Sequence, residues 1–124
     1  MRKNNTLYIV IPCFNEEEVI EETTKELKKK LESLIKKKII SKKSRVMYVN
    51  DGSKDETWEK IKLIHQKEKY FTGISLSRNT GHQNALLGGL MTSIKYADVV
   101  ISMDAIDFML EKYNQGFASS AHGS

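Results

Sequence analysis

Cysteine and proline each occur once, as Cys13 and Pro12, in a chain of 124 residues. A lone cysteine precludes an intramolecular disulfide and fits a reducing compartment. It closes an apolar run, so a buried, inert thiol is expected there rather than a nucleophile. No apolar run approaches the roughly 18 residues of a membrane-spanning helix. The opening MRKNNT has basic residues at Arg2 and Lys3 but no apolar stretch behind them, so no secretory signal is expected and the chain is placed in the cytoplasm. The three histidines, His65, His82 and His122, share no metal-ligand spacing, which argues against a zinc site. Neither a Walker loop nor a G-x-G-x-x-G turn is present, which excludes the usual triphosphate and dinucleotide grips.

What is present describes a soluble globular domain. Hydrophobic residues make up 40% and charged residues 29%, a balance that supports a core and argues against disorder. By length, residues 1–124 form a single domain. The net charge of +4 comes largely from lysines between Lys25 and Lys43. Such a run suits a solvated helix face first, and an anionic membrane surface or nucleic acid second. Nucleic acid is not an expected partner.

Along the chain, Leu7–Ile11 is a β-branched run of the kind that fills a strand covered on both faces. Pro12 is expected to end it by removing a donor. Asn15 followed by Glu16, Glu17 and Glu18 reads as a helix cap with acidic residues at the favourable pole. Ile20, Leu27, Leu31, Leu34 and Ile35 continue at helical spacing, so a first helix is predicted from about Glu16 to about Lys38. Ser41–Ser44 connects to a second strand, Arg45–Asn50. The stretch MYVNDGSKDET then places Asp51 at a strand end, Gly52 in a turn, and Ser53 with Glu56 in the spacing of a capping box. Trp58, Ile61 and Ile64 share one face of a second helix. Gly73–Leu76 is a short third strand. Thr80 and Gln83 form another capping box, ahead of a third helix bearing Leu86, Leu87, Leu90, Met91 and Ile94. Gly88 and Gly89 inside that helix are expected to let it pack closely on the sheet. Asp98–Met103 reads as a fourth strand buried on both sides, ending at Asp104.

Strands alternating with helical crossovers predict an α/β fold with a helix-covered, mainly parallel sheet. All strand ends then point one way, and ligands bind at that edge in open α/β sheets. Asn15, Glu16, Asp51, Arg78, Asn79 and Asp104 would meet there. A nucleotide needs what these residues offer. Carboxylates such as Asp51 accept from base and ribose donors, and an aromatic such as Phe14 stacks on the base. Arg78 and a helix N-terminus suit phosphates, and Asp104 could hold a hard divalent cation. Each residue also has a plainer use. Asn50 and Asp51 could build an Asx-type turn, Asn15 and Asp104 could be helix caps, and Arg78 could pair at the surface.

Four ordered stretches, IVIPCFNEEEVI, VNDGSKDET, LSRNTGHQNALLGGL and VISMDA, resemble the family-2 glycosyltransferases. They are most similar to the branch resembling dolichol-phosphate mannosyltransferase and bactoprenol glucosyltransferase. The resemblance runs from about Leu7 to Ala105. It implies the Rossmann-like, nucleotide-binding half of a GT-A fold, a UDP- or GDP-sugar donor and a Mg2+ or Mn2+ ion. It further implies a polyprenyl phosphate or other cell-envelope glycan as acceptor, met at the cytoplasmic face of the membrane. Transferred by position, it puts Pro12, Phe14, Asn15 and Glu16 in the nucleoside pocket and makes Asp51 the base-binding aspartate. It brings Arg78 and Asn79 to the nucleotide and makes Asp104 the first aspartate of a metal-binding Asp-x-Asp.

The chain departs from that pattern after Ala105, where Ile106 stands in place of the second aspartate. IDFMLEKYNQGF resembles the helix that follows this loop in the family, so a short loop is expected to be missing before Ile106. Asp107 is an alternative ligand on that helix. Residues 117–124, FASSAHGS, read as an irregular tail. No residue matches a catalytic base, and the family's later sheet, acceptor site and membrane helices have no counterpart. The alternative to an active transferase is therefore a non-catalytic nucleotide-binding module. A receiver-like signalling domain also collects aspartates at strand ends, but Pro12-Cys13-Phe14 occupies the place of its acidic pair. An incomplete sheet leaves edges that could pair two copies as a homodimer.

Overall fold

The computed structural model describes residues 5–103. Its elements follow in the order β1 (Leu7–Cys13), α1 (Ile20–Lys36), β2 (Arg45–Asp51), α2 (Thr57–Lys67), β3 (Phe71–Leu76), α3 (His82–Ser93) and β4 (Val99–Ser102). The sheet has the order β3-β2-β1-β4, and every pairing is parallel. The expectations for Asp104, Asp107, the helix after Ile106 and the 117–124 tail fall outside the described residues.

Alternation along the central strands builds two cores. Ile9, Ile11, Val46, Tyr48 and Phe71 face α1 and α2, meeting Ile20, Leu27, Leu31, Ile61 and Ile64. Val10, Met47 and Val49 face α3 and meet Ala85. This period of two is what a parallel sheet covered on both faces requires. Full burial of each such aliphatic side chain stabilises by about 1.5–3 kcal/mol. Tyr48 is fully buried and its hydroxyl lies 2.6 Å from Thr24 Oγ1, which donates onward to Ile20 O.

Several expected boundaries shift. Pro12 does not end β1, because the strand continues through Pro12 to Cys13. Val10 O accepts from Met103 N, so Val10 faces β4. Pro12, two residues on, faces the same side beyond Ser102, where β4 ends, and its missing N–H breaks no ladder bond there. Helix α1 begins at Ile20 rather than near Glu16, since the preceding residues are held by another loop. It stops at Lys36, ahead of Lys38 with its φ of 60°. Strand β3 starts two residues earlier than expected, at Phe71, whose ring packs on Tyr48.

Two faces are more open than the sequence suggests. β4 is not buried on both sides: Val99 and Ile101 are exposed, because β4 lies at an edge of the described sheet. Helix α3 contains no Asp, Glu, Lys or Arg, yet only its small residues Ala85, Gly89 and Ser93 are buried. Gly89 is where the close approach occurs, for a Cβ there would collide with Val10 and Val49, whereas Gly88 has open space. Leu87, Met91 and Ile94, which sequence periodicity places on a core face, are exposed on the opposite side.

Candidate functional site

The carboxyl ends of β1, β2 and β3 carry three loops that grip one another. Asp51, the last residue of β2, is only 3% exposed. Its Oδ1 accepts from Thr80 N at 2.8 Å and from the Thr80 hydroxyl at 3.0 Å. Both bonds use one oxygen, which leaves the lone pairs of Oδ2 for a ligand. Gly52 follows at φ 70°, pressed against the backbone of Arg78 and Asn79 so closely that a Cβ would overlap them.

The local caps that the sequence suggests do not form; the same side chains join loop to loop. Ser53 Oγ accepts from Asn15 N at 2.9 Å, while Glu56 N donates to Glu17 Oε2 at 3.3 Å, so no Ser53–Glu56 box exists. Asp55 takes over instead, with Oδ1 accepting from Thr57 N at 2.9 Å. The Thr80 hydroxyl serves Asp51, and α3 opens from Gly81 without a side-chain cap. Asn15 is not a cap either: at φ 51° its Oδ1 accepts from Lys54 N at 2.8 Å. Of the plainer readings that fall on described residues one is realised, since Asn50 Oδ1 accepts from Ser53 N, three residues on, at 3.2 Å in an Asx-type turn.

Between the loops lies a cavity of about 170 Å³ lined by Pro12, Cys13, Phe14, Glu16, Asp51, Asn79, Gly81 and His82. Five residues singled out from sequence thus come together: Pro12, Phe14, Glu16, Asp51 and Asn79. Asn15 and Arg78 do not line it. Asn15 is a brace behind the wall, and Arg78 is exposed beside it. Asp104 lies outside the described residues. Cys13, Gly81 and His82 were missed. Cys13 is buried as expected, and the cue for Gly81 and His82 was the strand-to-helix turn itself, which aims the first turn of α3 at the same edge. Phe14 is 41% exposed, an aromatic face left open beside a buried carboxylate.

Larger hollows lie elsewhere. One of about 730 Å³ sits near the amino ends of the strands, lined among others by Tyr8, Arg45 and Phe71. Another of about 490 Å³ separates α1 from α2. Neither touches the loops at the carboxyl ends, so volume does not locate the convergent chemistry. The Asp55 carboxyl titrates below its ordinary value: burial alone would raise it, but hydrogen bonds from the Thr57 hydroxyl and the Thr57 and Glu17 amides outweigh that. Among the described residues, no group of three His, Cys, Asp or Glu side chains could hold a metal ion.

A parallel, helix-covered sheet with its site at the strands' carboxyl ends is the architecture of the GT-A glycosyltransferases. The model of the family "Glycosyl transferase family 2" matches residues 8–115, and the chain belongs to that family. An uncharacterized glycosyltransferase of Bacillus subtilis, YkoT, is 45% identical over 119 residues, covering 89% of this chain and 35% of its own length. The poly-beta-1,6-N-acetyl-D-glucosamine synthase of Staphylococcus aureus is 32% identical over 110 residues, covering 84% of this chain and 24% of its own length. The chain thus spans about a third or less of the curated relatives it matches. Among solved structures, S. aureus TarS 1-349 in complex with UDP shares the fold at TM-score 0.56 and 23% identity, over 81% of this chain and 27% of that one. The Pyrobaculum calidifontis mannosyltransferase PcManGT, solved with GDP-Man and Mn2+, does so at TM-score 0.58 and 20% identity, over 82% of this chain and 28% of that one. No helix of the described residues is long and apolar enough to cross a membrane.

Proposed function

We propose that this domain binds the nucleoside diphosphate of a UDP- or GDP-sugar in the Asp51 cavity. The protein it belongs to would transfer the sugar to a polyprenyl phosphate or another cell-envelope glycan acceptor. One observation carries the binding step: a nearly buried aspartate, held by Thr80 through one oxygen, lines a cavity that an exposed aromatic ring also lines. Asp51 accepts a base N–H, Phe14 stacks on the base, Pro12 backs it and Glu16 accepts from the ribose. Asn79 and the first amides of α3 lie on the diphosphate side, where Arg78 neutralises charge. Asn15 contributes by bracing the loop. In the transfer, an acceptor oxygen bonds to the anomeric carbon as the bond to the diphosphate breaks and the nucleoside diphosphate leaves.

The described residues do not by themselves fit a divalent ion. Mg2+ or Mn2+ enters this proposal only through Asp104, one residue beyond them, and no step is assigned to it. No described side chain is assigned as the base that activates the acceptor. Support for the nucleotide comes from the fold shared with proteins solved with UDP or GDP-Man.

Titration calorimetry with UDP and GDP, with and without Mn2+, tests the site. Saturable binding of one nucleotide is expected, weakened by Phe14→Ala and by Asp51→Asn. No binding of either at millimolar concentration refutes the proposal. Nucleotide release from a nucleotide sugar in the presence of polyprenyl phosphate separates a transferase from a non-catalytic nucleotide-binding module.

A further inference from the structure

The cavity's outer wall is held from behind by side chains that never reach the cavity. Asn15 sits in the left-handed region at φ 51°, which a residue other than glycine adopts only with support. That support comes from the loop after β2. Asn15 exchanges two bonds with it, N–H to Ser53 Oγ at 2.9 Å and Oδ1 from Lys54 N at 2.8 Å. Next along, Glu16 N donates to Thr57 Oγ1 at 2.8 Å, and Thr57 Oγ1 donates to Asp55 Oδ1. The direction of this relay is determined. An ionised carboxylate can only accept, and a hydroxyl has a single proton, so Thr57 must give its proton to Asp55 and keep its lone pairs for the Glu16 amide. Asp55 Oδ2 also accepts from Glu17 N at 3.3 Å, which ties down the following residue. Thr57 is 0% exposed, so solvent cannot stand in for the hydroxyl.

We propose that Thr57, with its polarity set by Asp55, is a positioning residue for nucleotide binding. By fixing the Glu16 amide, it fixes where Phe14 and Glu16 stand opposite Asp51. Neither Thr57 nor Asp55 lines the cavity. Both act through the pose of the β1–α1 loop, so the free protein holds its wall ready rather than ordering it when the ligand arrives. This rests on the nucleotide-binding reading of the cavity, and the test keeps the two apart.

The test is calorimetry with whichever of UDP and GDP the wild-type chain binds more tightly. Thr57→Val keeps the shape and removes the hydroxyl; it is expected to weaken binding by about tenfold, with Thr57→Ser within about twofold of wild type. Asp55→Asn, whose amide can donate back to Thr57, is expected to weaken binding in the same direction and serves if Thr57→Val does not fold. Leu31→Ala, a core truncation far from the loops, is expected to lower stability while leaving affinity unchanged in the folded protein. Hydrogen exchange at the Glu16 and Glu17 amides should accelerate in Thr57→Val and not in Leu31→Ala. Wild-type affinity in Thr57→Val or in Asp55→Asn, failure of Thr57→Ser to restore it, or equal weakening by Leu31→Ala overturns the relay. If Phe14→Ala and Asp51→Asn weaken binding while Thr57→Val does not, the relay alone is lost. If the wild-type chain binds neither nucleotide, the site falls and the relay with it.

Discussion

Replacing Gly52 by alanine perturbs stability and the site through one methyl group. Gly52 adopts φ 70°, a conformation that costs an L-residue about 1–2 kcal/mol. The added Cβ would also overlap Asn79 N and the carbonyl carbon of Arg78. Both are backbone atoms, so no rotamer change relieves the clash and the loop before α3 must move. That loop is clasped to Asp51 by the Thr80 amide and hydroxyl at 2.8 and 3.0 Å. Losing one hydrogen bond to a charged group costs about 1.5–3 kcal/mol. The expected destabilisation is therefore about 2.5–5 kcal/mol, a large share of a small domain's total. Guanidinium denaturation followed by the fluorescence of the single tryptophan, Trp58, measures it. Gly52→Asn separates the two causes, since asparagine tolerates the left-handed backbone but carries the same Cβ. It should recover only the conformational part. A Gly52→Ala protein within about 1 kcal/mol of wild type would refute the close approach, and with it the clasp that places Asn79 and Gly81 beside Asp51.

Gly88→Ala should act in the opposite sense, because its Cβ meets open space. A gain of about 0.8–1 kcal/mol is expected, seen as a Tm higher by roughly 3–4 °C; Gly89→Ala should lower Tm instead, because its Cβ collides with Val10 and Val49. Asp55 makes stability depend on acid. Its carboxyl titrates below the ordinary value when folded, so the stabilisation is present above the unfolded-state pKa and is lost as pH falls through the folded one. Denaturation midpoints should drop across that acidic range, and Asp55→Asn should flatten the drop; an unchanged slope would refute this account. Leu87→Lys and Met91→Lys, at positions 56% and 62% exposed, should each change stability by no more than about 0.5 kcal/mol.

The central strands were legible because their signal is local and redundant. A β-branched run with no polar interruption has few alternatives to a covered strand, and crossover lengths then dictate parallel pairing. The convergence of Glu16, Asp51 and Asn79 followed from that topology, whereas Phe14 was singled out for the stacking surface a base needs. The caps were not legible, because Ser53, Glu56 and Thr80 have the right spacing for local boxes yet find better partners across the loops. The Ser53 hydroxyl accepts from Asn15, the Glu56 amide donates to Glu17, and Thr80 serves Asp51. A capping signature records which bonds are available within one turn and says nothing about competing donors and acceptors some 30–40 residues away. The same limit explains α1, whose expected first turn is held by the β2–α2 loop instead. In α3, apolar periodicity chose the wrong face for Leu87 and Met91, since the central residues 85–91, ALLGGLM, are apolar on every side. The small residues decided, because only Ala85, Gly89 and Ser93 let the helix come close to Val10 and Val49.

The size of the cavity bears on how the work of recognition is divided. About 170 Å³ is below the roughly 300 Å³ at which whole small-molecule sites begin. A base with part of its ribose is the portion of a nucleotide sugar that such a space encloses, and the groups that face it are an acceptor oxygen and an aromatic ring. The charged side chains that line it are the carboxylates Glu16 and Asp51. Two carboxylates inside the cavity disfavour a diphosphate there, so in the proposed pose it lies outside, towards Arg78 and the first turn of α3. On this reading the domain identifies the donor by its base. Free UDP or GDP should then bind to it about as tightly as the matching nucleotide sugar, and discrimination between sugars has to come from groups other than those lining this cavity.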